Sequence, residues 1–141
     1  MVYLIYGSPC SGKSTYIKDH MQRGDVVCDV DDIYASISGQ DPHSANFHIY
    51  NIAIEMWNAL TKIVHDRDGK WKDVYVTSIA NTKEKLKEDM ERVNADKCIY
   101  MDTPIDVCLE RANNRPPYFK WIIAEWFETK DEVIDLGQCR N

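Results

Sequence analysis

Several things are scarce in this 141-residue chain, and each scarcity excludes a class of protein. No apolar run approaches the roughly 20 residues that a membrane-spanning helix needs. No internal repeat, low-complexity tract or Pro/Gly/Ser-rich linker divides the sequence, so a single domain over 1–141 is expected. The five cysteines, Cys10, Cys28, Cys98, Cys108 and Cys139, are widely spaced and form no CxxC pair. That spacing speaks against a zinc ribbon or a disulfide framework, and reduced thiols in a cytoplasmic protein are expected. His20, His43, His48 and His65 have no partners at metal-ligand spacing, so core or surface positions are expected for them. Positive charge is also short: the net charge is −6. Proteins that hold long nucleic acid usually present a basic face, so extended duplex binding is not expected. Contact with one nucleotide or a strand end stays open.

What is present is a regular alternation of short apolar runs with longer helical stretches, the pattern of a parallel sheet wrapped by helices. Strands are read at Val2–Tyr6, Asp25–Val30, Asp73–Ser78 and Cys98–Met101, with a fifth at Glu132–Leu136. Helices are read at Lys13–Gln22, near Ile33–Ser38, and at Ala45–Asp66, Thr82–Asn94, Ile105–Asn113 and Pro117–Glu128. In the longest of these, Ile49, Ala53, Met56, Leu60 and Ile63 recur at spacings of four and three. They make a core stripe widened by Tyr50, Trp57 and Val64. The class is therefore α/β, with three layers and a parallel sheet of four or five strands flanked by helices.

The chemistry is carried by Gly7-Ser8-Pro9-Cys10-Ser11-Gly12-Lys13-Ser14, which matches G-x-x-x-x-G-K-[ST]. It lies where that motif needs to lie, between the strand Val2–Tyr6 and a helix opened by Ser14-Thr15-Tyr16-Ile17. The glycines let the loop close so that backbone N–H groups face a phosphate, and the helix adds its positive end. Gly7 to Thr15 are the expected contacts to ATP, with Lys13 on the β- and γ-phosphates and the Ser14 hydroxyl on Mg²⁺. Cys10 sits inside this loop, a candidate for labelling rather than a catalytic thiol. No Asn-Lys-x-Asp signature for guanine is present, and there is no room for the helical domain of an AAA+ machine. What remains is a small P-loop NTPase fold used as a kinase.

Two further clusters fit that reading. Asp29, Asp31 and Asp32 follow an apolar strand and so face the edge where the phosphate loop lies. One of them is placed to take the proton of an attacking hydroxyl, and Asp32 is read as the cap of the following helix. Arg111 and Arg115 straddle a helix end before Pro116-Pro117, where lid arginines would neutralise charge on the transferring phosphoryl group.

The phosphate loop, the Asp29-Val30-Asp31-Asp32 run and Asp102-Thr103-Pro104…Glu110-Arg111-Ala112-Asn113-Asn114-Arg115 come in a familiar order. Over roughly residues 1–128 the chain resembles the 5′-kinase domain of bacteriophage polynucleotide kinase and the small P-loop kinase-like proteins encoded by phages. The resemblance implies that Asp31 is the general base toward a hydroxyl and that Arg111 and Arg115 contact phosphates. Two positions depart from it. Tyr34 stands where relatives carry an arginine near the acceptor. Thr77-Ser78 ends the third strand where they often carry an acid, which leaves Asp29 or Asp102 to support Mg²⁺.

The expected activity is transfer of the ATP γ-phosphate to a hydroxyl on a nucleoside, a nucleotide or a nucleic-acid 5′ end. A sugar-nucleotide acceptor is a weaker option, and a nucleotide-gated module acting on a protein partner is the alternative. Tyr118, Trp121, Trp126 and Phe127 crowd the last helix, read as core or as half of a homo-oligomer contact rather than as a base-stacking surface.

Overall fold

Val2–Tyr6 is a run of β-branched, aliphatic and aromatic residues, and it forms β1, the strand from which the rest of the sheet is built. The computed structural model describes residues 1–131. After β1 come α1 (Lys13–His20), β2 (Val26–Cys28), α2 (Val30–Ser38), a 3₁₀ turn (Pro42–Ser44) and α3 (Phe47–His65). Then follow β3 (Val74–Ser78), α4 (Lys83–Val93), β4 (Lys97–Tyr100), α5 (Ile105–Arg111), a second 3₁₀ turn (Ala112–Asn114) and α6 (Tyr118–Thr129).

The described strands form one parallel sheet in the order β2-β3-β1-β4. Tyr6 is level with Ser78 on one side and with Tyr100 on the other, so the strands end together. The segments leaving β1, β3 and β4 emerge along one edge, which is where an open parallel sheet places its ligands. The proposed fifth strand, Glu132–Leu136, lies outside the described residues.

Both faces of β1 are covered, as a buried parallel sheet requires. Val2, Leu4 and Tyr6 pack with Val74, Val76, Val64 and Val93 under α3 and α4. Ile5 and Tyr75 turn the other way, onto Ile17 of α1. A third cluster, Cys108, Ala112 and Ile123, joins α5 to α6. Three of the helices carry recognisable caps. Asn46 caps α3 by accepting from the His48 amide at 3.0 Å, Thr82 caps α4 by accepting from the Lys85 amide at 3.2 Å, and Gly39 ends α2 in a left-handed conformation.

The apolar stripe of α3 has the expected period but a different phase. Ala53, Thr61 and Val64 are buried, whereas Met56 and Ile63 stand 45% and 44% exposed. A helix this rich in apolar residues carries several stripes of equal spacing, and periodicity alone does not choose between them. Arg67, in the turn after α3, ties the end of the sheet away from the cleft. It donates to the carbonyls of Val64 (2.9 Å), Val93 (3.2 Å) and Asn94 (2.6 Å) and pairs with Asp96 at 3.3 Å. Cys10, Cys28 and Cys108 are free thiols; Cys98 is disulfide-bonded, so the expectation of five reduced cysteines does not hold throughout. Among the described residues no helix is long and apolar enough to cross a membrane.

Candidate functional site

The loop between β1 and α1 is shaped by positions that reject ordinary side chains. A Cβ on Gly7 would lie 2.9 Å from Ser11 Oγ and 3.0 Å from the Met101 carbonyl, so only glycine fits there. Gly12, at φ +127°, caps α1 without a side chain, and Cys10 adopts φ +60°, which non-glycine residues seldom do. Lys13 folds back across the loop and donates to the carbonyls of Gly7 (3.0 Å) and Ser8 (2.8 Å). Burial lowers the Lys13 ammonium to about 8, although Asp29 works in the opposite direction. The Ser11 hydroxyl is buried and has no partner among the described residues. Thr103, after β4, donates its hydroxyl to the Ser11 carbonyl and holds the loop from the far side.

Asp29 follows β2 and caps α2, its carboxylate accepting from the Asp31 amide at 2.9 Å. The cap is thus Asp29 and not Asp32. The helix begins at Val30, three residues earlier than the apolar pattern suggested, because an Asp at that point satisfies its first free amides. Burial pushes the Asp29 carboxyl up to about 6, and the charge of Asp32 adds to the effect. Asp31 comes one step into the helix and accepts a hydrogen bond from the Tyr50 hydroxyl at 3.0 Å. The Tyr50 hydroxyl is pushed well above its ordinary range, by burial first and by the Asp31 charge second.

On the other side, Arg111 closes α5 and donates to the Cys10 carbonyl at 3.2 Å, beside Gly12. Arg115 follows the second 3₁₀ turn in extended conformation, lies 5.5 Å over the Phe119 ring and pairs with Nε2 of His43. His43 is in turn held by Asp41, 2.9 Å from its Nδ1, and its carbonyl accepts from the Tyr118 hydroxyl at 2.9 Å.

A single cleft of about 1160 Å³ brings these groups together: Lys13, Ser14, Asp29, Asp31, Arg111 and Arg115 all line it. Pro9 to Thr15 line it as well, while Gly7 and Ser8 lie buried beneath the loop and supply the carbonyls that hold Lys13. Asp102 is exposed and does not line the cleft, so of the two acids considered for Mg²⁺ only Asp29 is placed there. Among the described residues no cluster of three His, Cys, Asp or Glu side chains forms a ready-made metal site. Tyr34, in place of an acceptor-side arginine, is fully buried, and its hydroxyl accepts from the Asn46 amide at 2.8 Å. At the end of β3 the Ser78 hydroxyl donates to Asp89 at 2.5 Å and turns inward.

Tyr50, His43 and Thr103 are site residues that sequence reasoning did not select. Tyr50 reads as part of a core stripe, His43 as one histidine among four, and Thr103 only as a member of the Asp102-Thr103-Pro104 run, with no role of its own. Their placement depends on contacts 19, 72 and 92 residues apart in the chain, which no local pattern carries. In α6, Ile123 and Trp126 are buried, but Trp121 is 66% exposed.

A family model described as an AAA domain matches residues 2–133, and the chain belongs to that family. Among solved structures it is similar to one described as the structure of the Pnkp1/Rnl/Hen1 RNA repair complex, with a TM-score of 0.61 and 14% identity. That match covers 92% of this chain and 46% of the other, so this chain spans under half of its length. It is also similar to shikimate kinase from Acinetobacter baumannii in complex with shikimate, with a TM-score of 0.55, 14% identity, and coverage of 91% and 74%. No curated protein matches the sequence. These likenesses concern the fold, a parallel α/β sheet with a phosphate loop after its first strand.

Proposed function

We propose that this AAA-domain protein is an ATP-dependent phosphotransferase that moves the γ-phosphate onto a hydroxyl acceptor. The observation that carries the reading is the single cleft, in which a phosphate loop faces one carboxylate from α2 and two arginines from the α5–α6 connection. That is the set that phosphoryl transfer needs, since its catalysis is mostly positioning and charge stabilisation. A resemblance in fold to shikimate kinase supports the same class of reaction.

In this reading the loop amides and Lys13 cradle the β- and γ-phosphates. Lys13, held partly desolvated, keeps its proton when polyphosphate charge arrives. Asp31 takes the proton of the acceptor hydroxyl as its oxygen bonds to the γ-phosphorus, and the bond from that phosphorus to the bridging oxygen breaks to release ADP. Tyr50, bonded to one oxygen of Asp31, orients the carboxylate. Arg111 and Arg115 neutralise charge spread over the transferring group. The Ser14 hydroxyl and the Asp29 carboxylate are hard oxygen donors that suit Mg²⁺, an ion that keeps several waters and takes few protein ligands. When bound, Mg²⁺ would supply charge neutralisation at the phosphates.

The decisive experiment uses γ-labelled ATP, Mg²⁺ and a panel of 5′-hydroxyl oligonucleotides, nucleosides and nucleoside monophosphates, with Lys13→Ala as the blank. Label on an acceptor that is absent from the blank supports the reading. Tight ATP binding without a labelled acceptor favours the second reading, a nucleotide-gated module acting on a protein partner. The exposed Trp121 of α6 is the observation behind that alternative.

A further inference from the structure

The phosphate donor and the hydroxyl acceptor share one cleft, but its two halves differ in chemistry. The lysine and arginines that line it among the described residues are Lys13, Arg111 and Arg115. They stand on the phosphate loop and on the α5–α6 connection, and each has a partner on that side or at its border: the Gly7 and Ser8 carbonyls, the Cys10 carbonyl and His43. The wall around Asp31 is built differently. It comes from the first 3₁₀ turn and the start of α3, whose cleft-lining residues are Pro42, His43, Ala45, Phe47 and Tyr50, with His43 marking the border to Arg115. Tyr50 is fixed there by its bond to Asp31. Phe47 stands 72% exposed at the first position of α3, where burial in the core does not account for it.

The carboxylates on this side are Asp29 and Asp31, at the start of α2; Asp19 also lines the cleft, but from α1. The two histidines of the lining are already engaged: Nδ1 of His20 is 2.8 Å from the Tyr16 carbonyl, and both ring nitrogens of His43 are taken by Asp41 and Arg115. A phosphate on the acceptor, placed beside Asp31, would meet carboxylates rather than cations, and like charges at such range are costly. An uncharged ring would meet aromatic and apolar surface, on which bases stack.

We propose that the acceptor half of the cleft takes an uncharged, ring-bearing hydroxyl compound of the nucleoside class and discriminates against acceptors that carry phosphate. This rests on the phosphotransferase reading and narrows it. Asp31 binds the hydroxyl, Phe47 and Tyr50 offer the ring a surface, and the carboxylates set the charge preference.

The test compares nucleosides, their 3′-monophosphates and 5′-hydroxyl oligonucleotides as acceptors for the full chain with γ-labelled ATP and Mg²⁺. The expected result is a kcat/KM at least about tenfold higher for a nucleoside than for its 3′-monophosphate. Phe47→Ala should raise the nucleoside KM about tenfold, the scale of one lost stacking contact, while leaving the KM for ATP unchanged. Ala45→Lys, at an exposed position on the same wall, should narrow the discrimination by raising use of the 3′-monophosphate. Equal or preferred use of the 3′-monophosphate or the oligonucleotide would overturn the inference and leave the phosphotransferase reading standing. If no acceptor in the panel takes label while ATP binds, the phosphotransferase reading falls and the inference falls with it.

Discussion

Arg115 and His43 lie 72 residues apart in sequence and meet side chain to side chain at the cleft, with Arg115 donating to Nε2 of the imidazole. The contact joins the α5–α6 connection to the turn that leads into α3, and so joins the phosphate side of the cleft to the side that carries Asp31 and Tyr50. His43→Ala is expected to lower kcat about tenfold with a smaller effect on the KM for ATP, because it frees Arg115 rather than removing it. In an Arg115→Ala background the same change should add little, as two residues acting as a unit do. Additive losses in the double variant would mean that His43 acts independently of Arg115.

Asp31→Asn should bind nucleotide normally and lose turnover by about 10²- to 10⁴-fold, the range of general-base contributions. Tyr50→Phe removes only the hydroxyl that steadies Asp31 and should cost less, on the order of a few-fold. Binding is read by calorimetry with a non-hydrolysable ATP analogue and turnover by acceptor labelling. Near-normal turnover in Asp31→Asn would remove Asp31 from the base role.

Asp29 titrates at about 6 in the fold against 3.8 for the ordinary side chain, so burial disfavours its charged form. Between these values the native state holds more protons than the unfolded one, and the contribution of Asp29 to stability falls as pH rises. Asn caps helices as well as Asp does. Asp29→Asn should therefore be more stable than the parent at pH 7.5 by about 1–3 kcal/mol. That gain should shrink as pH drops from 6 toward 3.8, while Mg²⁺-dependent activity falls at pH 7.5. Urea unfolding across pH 4–8 reads the first effect; a gain that does not vary with pH would point to packing instead.

For Lys13 the sign is reversed. Its folded value of about 8 lies below the ordinary 10.5, and phosphate binding favours the charged form. Nucleotide affinity should be insensitive to this group below pH 8 and should fall above it, by up to about tenfold per pH unit. Calorimetry at pH 8.5 in buffers of different ionisation enthalpy should show uptake of a large fraction of a proton, absent in Lys13→Met.

Much of the fold was legible in the chain because its signals are local. The alternation of short apolar runs and amphipathic stretches located each described strand and helix to within a few residues, and G-x-x-x-x-G-K-S located the loop. What stayed hidden is set by tertiary contact. The phase of α3 depends on how the helix rolls on the sheet, which is why Met56 and Ile63 face outward while Thr61 is buried. The cap of α2 depends on where the strand before it stops, and Asp29 won over Asp32 because β2 stops at Cys28, short of the expected end at Val30. Tyr50 and His43 entered the site through long-range bonds, while Asp31, Arg111 and Arg115, drawn from the motif order, do line the same cleft.

The contacts of Arg67 give the domain a mechanical polarity. One guanidinium staples the ends of α3 and α4 to the segment before β4, at the edge of the sheet opposite the phosphate loop. The loop edge thus stands at the far end of strands whose base is anchored. Amide hydrogens around Val93 and Val2 should be among the last to exchange, and cutting the staple with Arg67→Ala should loosen the far edge before it disturbs nucleotide binding.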